Sequence, residues 1–327
     1  MNPTVIEICT GGGGQALGLE MAGFEMMAAV EIESKYCDTL RLNRPHWNVI
    51  QADVRNIKGK DFEGVDLFAG GVPCPPFSIA GKQLGKMDSR DMFPEALRLI
   101  GEINPKAVLL ENVPGFASAK FAGYRASLMN KFKKMGYVPS WRILHSSNYG
   151  VPQLRPRFVL VALKKEYSEG FYWPEPIGTA PTVGSALFDL MAERGWKGAA
   201  AWASEANTIG PTLVGGSLKH GGPDLGPTRA RHQWELLRVD GRSLADTAPE
   251  ARFSINGMPR LTARMAARIQ GFPDEWQFAG KKTSAYRQIG NAFPPPVALA
   301  VGKSIISALQ TQKFSAVHSR LPTYAAA

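Results

Sequence analysis

The sequence predicts an α/β fold, a sheet with helices on both faces that carries a smaller, loop-rich second domain. Three observations predict it. Over the first ~165 residues short apolar runs alternate with amphipathic stretches, the pattern of a parallel sheet built from crossover units. From Pro174 onward glycine and proline become frequent, as in Gly215-Gly216, Gly221-Gly222-Pro223 and Gly226-Pro227, and apolar periodicity fades. After Pro294-Pro295-Pro296 an apolar-faced helix resumes over 297–309. That face suits packing back on the first domain, which makes the first domain discontinuous, 1–174 with 289–327, and leaves 175–288 as the second domain and hinge.

The elements follow in order. Residues 5–10 read as a first strand, 11–14 as a glycine turn and 15–22 as a helix, with Gly23 where a C-terminal cap belongs. Further strands are expected at 27–30, 48–52, 65–69 and 107–110. Residues 91–103 have helical spacing, stopped by Asn104-Pro105. Residues 142–144 and 158–163 read as later strands. The tail after Lys313 reads as frayed, and no internal repeat is visible.

Composition narrows the class. Hydrophobic residues make up 44% of the 327 and charged residues 20%, as in ordinary soluble globular proteins. No apolar stretch approaches the roughly 18 residues of a membrane span, and Met1-Asn2-Pro3-Thr4-Val5 lacks the basic and apolar regions of a secretory signal. Three scattered cysteines, Cys9, Cys37 and Cys74, cannot build a disulfide framework, so a reducing cytoplasm is expected. A net charge of +10 points to a polyanionic partner. The absence of Cys-x-x-Cys and the scatter of the five histidines argue against a metal.

In an open parallel sheet, ligands bind beyond the carboxyl ends of the strands. Here those ends carry Gly11-Gly12-Gly13-Gly14, then Glu31, then Asp53, then the loop Gly70-Gly71-Val72-Pro73-Cys74-Pro75-Pro76-Phe77-Ser78, then Glu111-Asn112-Val113. A glycine turn lets the backbone approach a ligand and sets a helix N-terminus against it. Glu31 lies ~20 residues past that turn, where a carboxylate can hold ribose hydroxyls. Glu31 and Asp53 taken singly are equally readable as solvated loop acids, and together they point to a nucleoside-bearing cofactor. The glycine spacing is not the full nicotinamide pattern. Cys74 could be a small buried hydrophobe, but three prolines within four positions stiffen its loop, as suits an aimed nucleophile. A free thiol, with a pKa of roughly 8.5, is only slightly ionised near neutrality unless its site lowers that value.

Pro73-Cys74-Pro75-Pro76-Phe77-Ser78, Glu111-Asn112-Val113 and Gln153-Leu154-Arg155-Pro156-Arg157 resemble motifs of the C5-cytosine DNA methyltransferases of bacterial restriction-modification type. So do Arg260-Leu261-Thr262 leading to Gln270-Gly271-Phe272-Pro273, and Gln288-Ile289-Gly290-Asn291-Ala292. The motifs come in the family's order and span almost the whole chain. The resemblance implies a Rossmann-like, S-adenosylmethionine-dependent methyltransferase sheet as the catalytic, cofactor-binding domain, with a target recognition domain at 175–288. It implies that Cys74 attacks C6 of a flipped cytosine, that Glu111 bonds N3, and that Arg155 and Arg157 anchor the nucleotide. It assigns Cys9, Gly11 and Gly13 to the methionine and ribose side of the cofactor and Glu31 to the ribose hydroxyls. Asp53 falls to the adenine amino group, with Pro73, Asn291 and Ala292 completing the pocket. S-adenosylhomocysteine is the implied product, and no metal is implied.

On the DNA side the resemblance points to Ser78, Gln153, Thr212, Lys219, Arg229, Arg231 and Arg260. Thr212-Leu213-Val214-Gly215-Gly216 resembles the Thr-Leu core of recognition domains. The following glycine-rich basic loop, which also holds His220, suits guanine contacts and phosphate contacts alike. The segment loosely resembles readers of GG(A/T)CC or GGNCC. The implied partners are double-stranded DNA and, functionally, a restriction endonuclease, with a monomeric enzyme in the cytoplasm, associated with the nucleoid through DNA and with no membrane role. The sequence departs from the family in its first motif, where Glu7 replaces an aspartate and Cys9 an aromatic. Pro75 stands where other members carry glutamine, and both versions occur. Three rivals remain: a tRNA cytosine-5 methyltransferase of the related branch, a nicotinamide oxidoreductase, and a DNA-binding protein without catalysis. The long recognition segment favours DNA over tRNA, and the presence of Cys74 and Glu111 favours catalysis.

Overall fold

A computed structural model describes residues 2–73, 91–216 and 222–318, with side chains through 311 in the last stretch. The strands are β1 (Thr4–Ile8), β2 (Glu25–Glu31), β3 (Val49–Gln51), β4 (Leu67–Gly71), β5 (Ala107–Asn112), β6 (Tyr137–His145) and β7 (Pro156–Lys164). They form one seven-stranded sheet in the order β3-β2-β1-β4-β5-β7-β6. The first five are parallel, as expected. β7 is antiparallel to both β5 and β6, so the sheet is mixed rather than wholly parallel. The reason is chain length: the connection over 146–155 is shorter than the dozen or so residues a parallel crossover needs.

Helices α1 (Gly14–Ala22), α2 (Ser34–Asn43), α3 (Phe93–Ile103), α4 (Ala122–Lys134) and α5 (Lys165–Ser168) belong to the first half of the chain. α6 (Val183–Ala192), α7 (Ala199–Glu205), α8 (Thr228–Glu235), α9 (Ala263–Ile269), α10 (Lys282–Asn291) and α11 (Pro295–His318) follow. Side-chain alternation on β1 sets the two layers. Val5 joins the core under α1 and α11, whereas Ile6 and Ile8 join the core under α3. Both faces of the strands are therefore apolar, as a sheet covered on both sides requires. Gly23 ends α1 at φ 111°, and Asn104 ends α3 at φ 52°.

α11 seats on α1 through small residues. A Cβ on Gly18 would stand 2.3 Å from the Pro295 carbonyl oxygen and 2.5 Å from the Ala298 Cβ, and one on Gly302 would meet Ala22 and Leu19. Residues 282–311 are long and apolar enough by composition to cross a membrane, which the sequence reading did not anticipate. Yet 61% of the apolar window is buried, and docking against α1 accounts for that character.

The region 175–288 carries helices of ten residues or fewer and no named strand among the described residues. Helices that short give little periodicity, which is why the pattern fades there. The region still has a core: Leu187, Trp196, Trp202 and Trp234 are buried in one cluster continuous with the α1 side of the sheet. α10 runs through positions 288 and 289.

Candidate active site

The glycine turn leaves β1 with Cys9 at φ 53° and Gly11 at φ 59°, both left-handed. That conformation strains a cysteine and suits a glycine. The Gly11 amide donates to Glu31 Oε2 at 2.7 Å, while the Ile32 and Glu33 amides donate to Oε1 at 2.8 and 2.9 Å. Burial pushes the Glu31 carboxyl up, and these three amides pull it back. The glycines then part ways. A Cβ on Gly11 would meet nothing within 4 Å, so the backbone is open on that side. One on Gly13 would lie 2.8 Å from both Leu40 and Trp276, and one on Gly14 would lie 2.3 Å from the Phe293 carbonyl oxygen. Gly11 thus faces open space, while Gly13 and Gly14 admit the protein's own later segments. Trp276 Nε1 also donates to the Gly12 carbonyl at 3.2 Å.

Around this turn, Asp53 caps a short 3-10 turn by accepting from the Arg55 amide at 2.9 Å. Ile32 stands 57% exposed directly after Glu31, an apolar side chain beside a candidate ribose carboxylate. The sequence reading passed over it, although its place at a strand end was visible. Burial, with Glu31, Glu7 and Asp53 behind it, pushes the Cys9 thiol far up. Cys37 is buried and its thiol is pushed up to about 11, mainly by burial. Neither thiol is set to ionise near neutrality. Cys74 and Ser78 lie outside the described residues. Glu7 is 1% exposed, its carboxyl is pushed well up by burial and then by Glu31, and its Oε2 has no partner among the described residues.

The last described residues before Cys74 are placed by β4 and β5. Gly71 pairs with Glu111 in the parallel ladder, and Asn112 Nδ2 donates to the Val72 carbonyl at 2.9 Å. Pro73 follows, exposed. Glu111 itself is 9% exposed and forms an ion pair with Arg157, Nε to Oε1 at 2.9 Å. Burial pushes the Glu111 carboxyl up, opposed by Arg157 and then Arg155. Burial likewise pushes the Arg157 guanidinium down, opposed by Glu111.

The sequence reading gave Arg155 and Arg157 a shared task; the structure separates them. Arg155 is fully buried. Its Nη1 donates to the Leu213 carbonyl, and its Nη2 to the carbonyls of Gly290 and Ala292, each at 2.8 Å. Gln153, expected on DNA, is also fully buried. Its Nε2 donates to the Ile269 carbonyl at 2.9 Å and to Gln270 Oε1 at 2.6 Å, and its Oε1 accepts from the Leu213 amide at 3.0 Å. Protein groups occupy both ends of that buried amide, the nitrogen twice and the oxygen once. Gln270 in turn donates to the Ala292 carbonyl. These residues form a polar hub joining four distant motifs.

Among the recognition candidates, Thr212 is half-buried and Arg229 is exposed on α8. Arg231 donates to Thr228 Oγ1 at 3.2 Å. Arg260 donates to Asp240 Oδ2 at 2.9 Å, and Arg242 grips both oxygens of the same carboxylate at 2.9 and 3.0 Å. Those arginines, Arg242 first, hold the Asp240 carboxyl far below its usual range. Arg260 also lines a cleft of about 640 Å³ with Arg252, Phe253 and Met258. Lys219 and His220 lie outside the described residues. Asn291, expected at the cofactor, turns its amide to the recognition segment and donates to the Gly216 carbonyl at 3.1 Å. Ala292 is 9% exposed, with its carbonyl taken by the hub.

Known proteins resemble this chain in sequence and in fold. The model of the C-5 cytosine-specific DNA methylase family matches residues 3–307. The Type II methyltransferase M.NaeI of Lentzea aerocolonigenes is 55% identical over 312 residues, covering 94% of this chain and 76% of its own. The Type II methyltransferase M.NgoMIV of Neisseria gonorrhoeae is 54% identical over 320 residues, covering 95% and 100%. Among solved structures, a protein encoded within an Escherichia coli prophage superposes with a TM-score of 0.65 at 25% identity, covering 94% of this chain and 99% of its own.

Proposed function

The chain belongs to the C-5 cytosine-specific DNA methylase family, and from that premise we propose how its residues transfer a methyl group to C5 of cytosine in a specific duplex DNA site. The observation that carries this reading is the buried Glu111–Arg157 pair, beside the strand from which the Cys74 loop departs. Cytosine C6 is a weak electrophile. The Cys74 thiolate adds to it, and the electrons displaced toward N3 are met by a proton held on Glu111. Burial raises the Glu111 carboxyl in the direction this role needs, and Arg157 opposes that rise while fixing the carboxyl's aim. C5 becomes enamine-like and nucleophilic. After methylation, loss of the C5 proton to a water-mediated base and elimination of the thiolate free Cys74. Splitting the substitution this way replaces one difficult step with easier ones. The base must leave the stack for C6 to be reached.

S-adenosylmethionine supplies the methyl group and leaves as S-adenosylhomocysteine. The open backbone at Gly11 and the carboxylate of Glu31 fit its ribose side, Asp53 its adenine, and Cys9, Pro73 and Ala292 the rest of the pocket. Gly13 serves the same pocket indirectly, by admitting Trp276. Residues 175–288 read the DNA, with Arg229, Arg231 and Arg260 as cationic contacts and Thr212 at the segment's start. The enzyme acts as a monomer in the cytoplasm and protects host DNA from a partner endonuclease. Duplex DNA, rather than tRNA, is the substrate, in keeping with the Type II relatives.

The test is direct. Cys74→Ser loses methyl transfer and keeps DNA binding, and duplexes carrying 5-fluorocytosine trap a covalent complex in the presence of cofactor. A fully active serine variant overturns the mechanism. Parallel assays on tRNA decide the substrate, and sequencing methylated random duplex gives the site.

A further inference from the structure

The recognition segment and the end of α10 meet backbone to backbone. A Cβ on Gly290 would stand 2.4 Å from the Gly215 amide nitrogen and 2.5 Å from its Cα. A Cβ on Gly215 would stand 2.7 Å from the Arg287 carbonyl oxygen and 2.9 Å from Asn291 Oδ1. Only glycine at both positions allows this approach, since a real Cβ there must displace main chain. The Asn291 side chain lies along the crossing and donates to the Gly216 carbonyl at 3.1 Å. Gly216 is left-handed at φ 66°. From below, Arg155 ties the Leu213 carbonyl to the Gly290 and Ala292 carbonyls. The recognition segment is thus gripped on two sides just before its basic loop.

We propose that Asn291 is a positioning residue for DNA, acting through the Gly215–Gly290 crossing to aim the recognition segment. The proposal rests on the methyltransferase reading above. Asn291 stands at the exposed end of α10, where a side-chain amide holding a main-chain carbonyl can order a loop without being part of the core. A hydrogen bond of this kind contributes enough to shift an equilibrium by about three- to tenfold.

The test uses the full chain and a duplex carrying the site found by sequencing methylated random DNA. Asn291→Ala raises the KM for that duplex about three- to tenfold, at an unchanged melting temperature. Gly215→Ala, which drives a Cβ against Asn291, raises it at least as much. Because Gly215→Ala displaces the Asn291 amide along with the Arg287 carbonyl, removing that amide as well adds nothing, and the double variant has the duplex KM of Gly215→Ala alone. Multiplying effects, or an unchanged duplex KM in Asn291→Ala, overturn the proposal. Where Gly215→Ala does not fold, Asn291→Ala decides alone, by its duplex KM at an unchanged melting temperature. Failure of the underlying reading looks different, because the unaltered protein then methylates no duplex at all.

Discussion

Arg155 and Arg157 sit two residues apart on one stretch of chain and do opposite things. Arg157 pairs with the buried Glu111 carboxylate, whereas Arg155, among the described residues, donates to main-chain carbonyls from segments 58 to 137 residues away. A charge paired with a charge can take part in proton chemistry, because each member tunes the other. A charge spread over carbonyls reaches Glu111 only through its field, and it fixes distant strands of chain in one register. Spacing along a motif therefore does not make its residues a functional unit.

Four substitutions sharpen or break that contrast. Arg157→Met lowers the methylation rate about 10²- to 10³-fold, the scale of losing one charged group aimed at the reacting base. Its fold survives because the stranded Glu111 can take up a proton, and retained activity would break the contrast from the catalytic side. Arg155→Met strips the buried Leu213 and Gly290 carbonyls of this donor, leaves Ala292 held by Gln270 alone, and lowers unfolding stability by about 3–5 kcal/mol in denaturant titration. Should it melt normally and lose only kcat, Arg155 belongs with the chemistry after all. Gln153→Ala strips the same hub of its amide and costs about 1–3 kcal/mol, with duplex KM unchanged if the residue never touches DNA.

The smallest effect is at Glu7, a buried carboxyl whose Oε2 has no partner among the described residues. Its folded pKa is raised, so its stability contribution is complete below the unfolded carboxylate value, roughly 4.3. That contribution is lost as pH rises through the folded value. Glu7→Gln removes the loss and flattens stability against pH on the alkaline side. An unchanged slope in thermal melts from pH 5 to about pH 8 would mean that Glu7 is held ionised.

The strand-end residues were legible in the sequence because an α/β sheet puts every parallel strand end on one edge, so Gly11, Glu31 and Glu111 could be placed from the apolar runs alone. The helix over 297–309 was visible for a similar reason and proved to be the first half of a longer α11. The hub was not legible. Gln153 and Arg155 meet partners at 213, 269–270 and 290–292, and no local pattern encodes which polar residue goes inside. Nor did local pattern reveal that β7 turns back on β6, since direction depends on connection length rather than on strand composition. Gly215 and Gly290 looked like loop and helix-end glycines, and their need for close approach exists only once the two segments cross.

The seat of α11 on α1 has a consequence for synthesis. The glycine turn and α1 leave the ribosome more than 250 residues before the Trp276, Phe293 and α11 segments that pack on them. Contacts so distant in sequence form slowly. The nascent chain therefore carries the α11-binding side of α1 uncovered until residues 276–302 have been made, and the glycine turn is not enclosed by Trp276 and Phe293 before then.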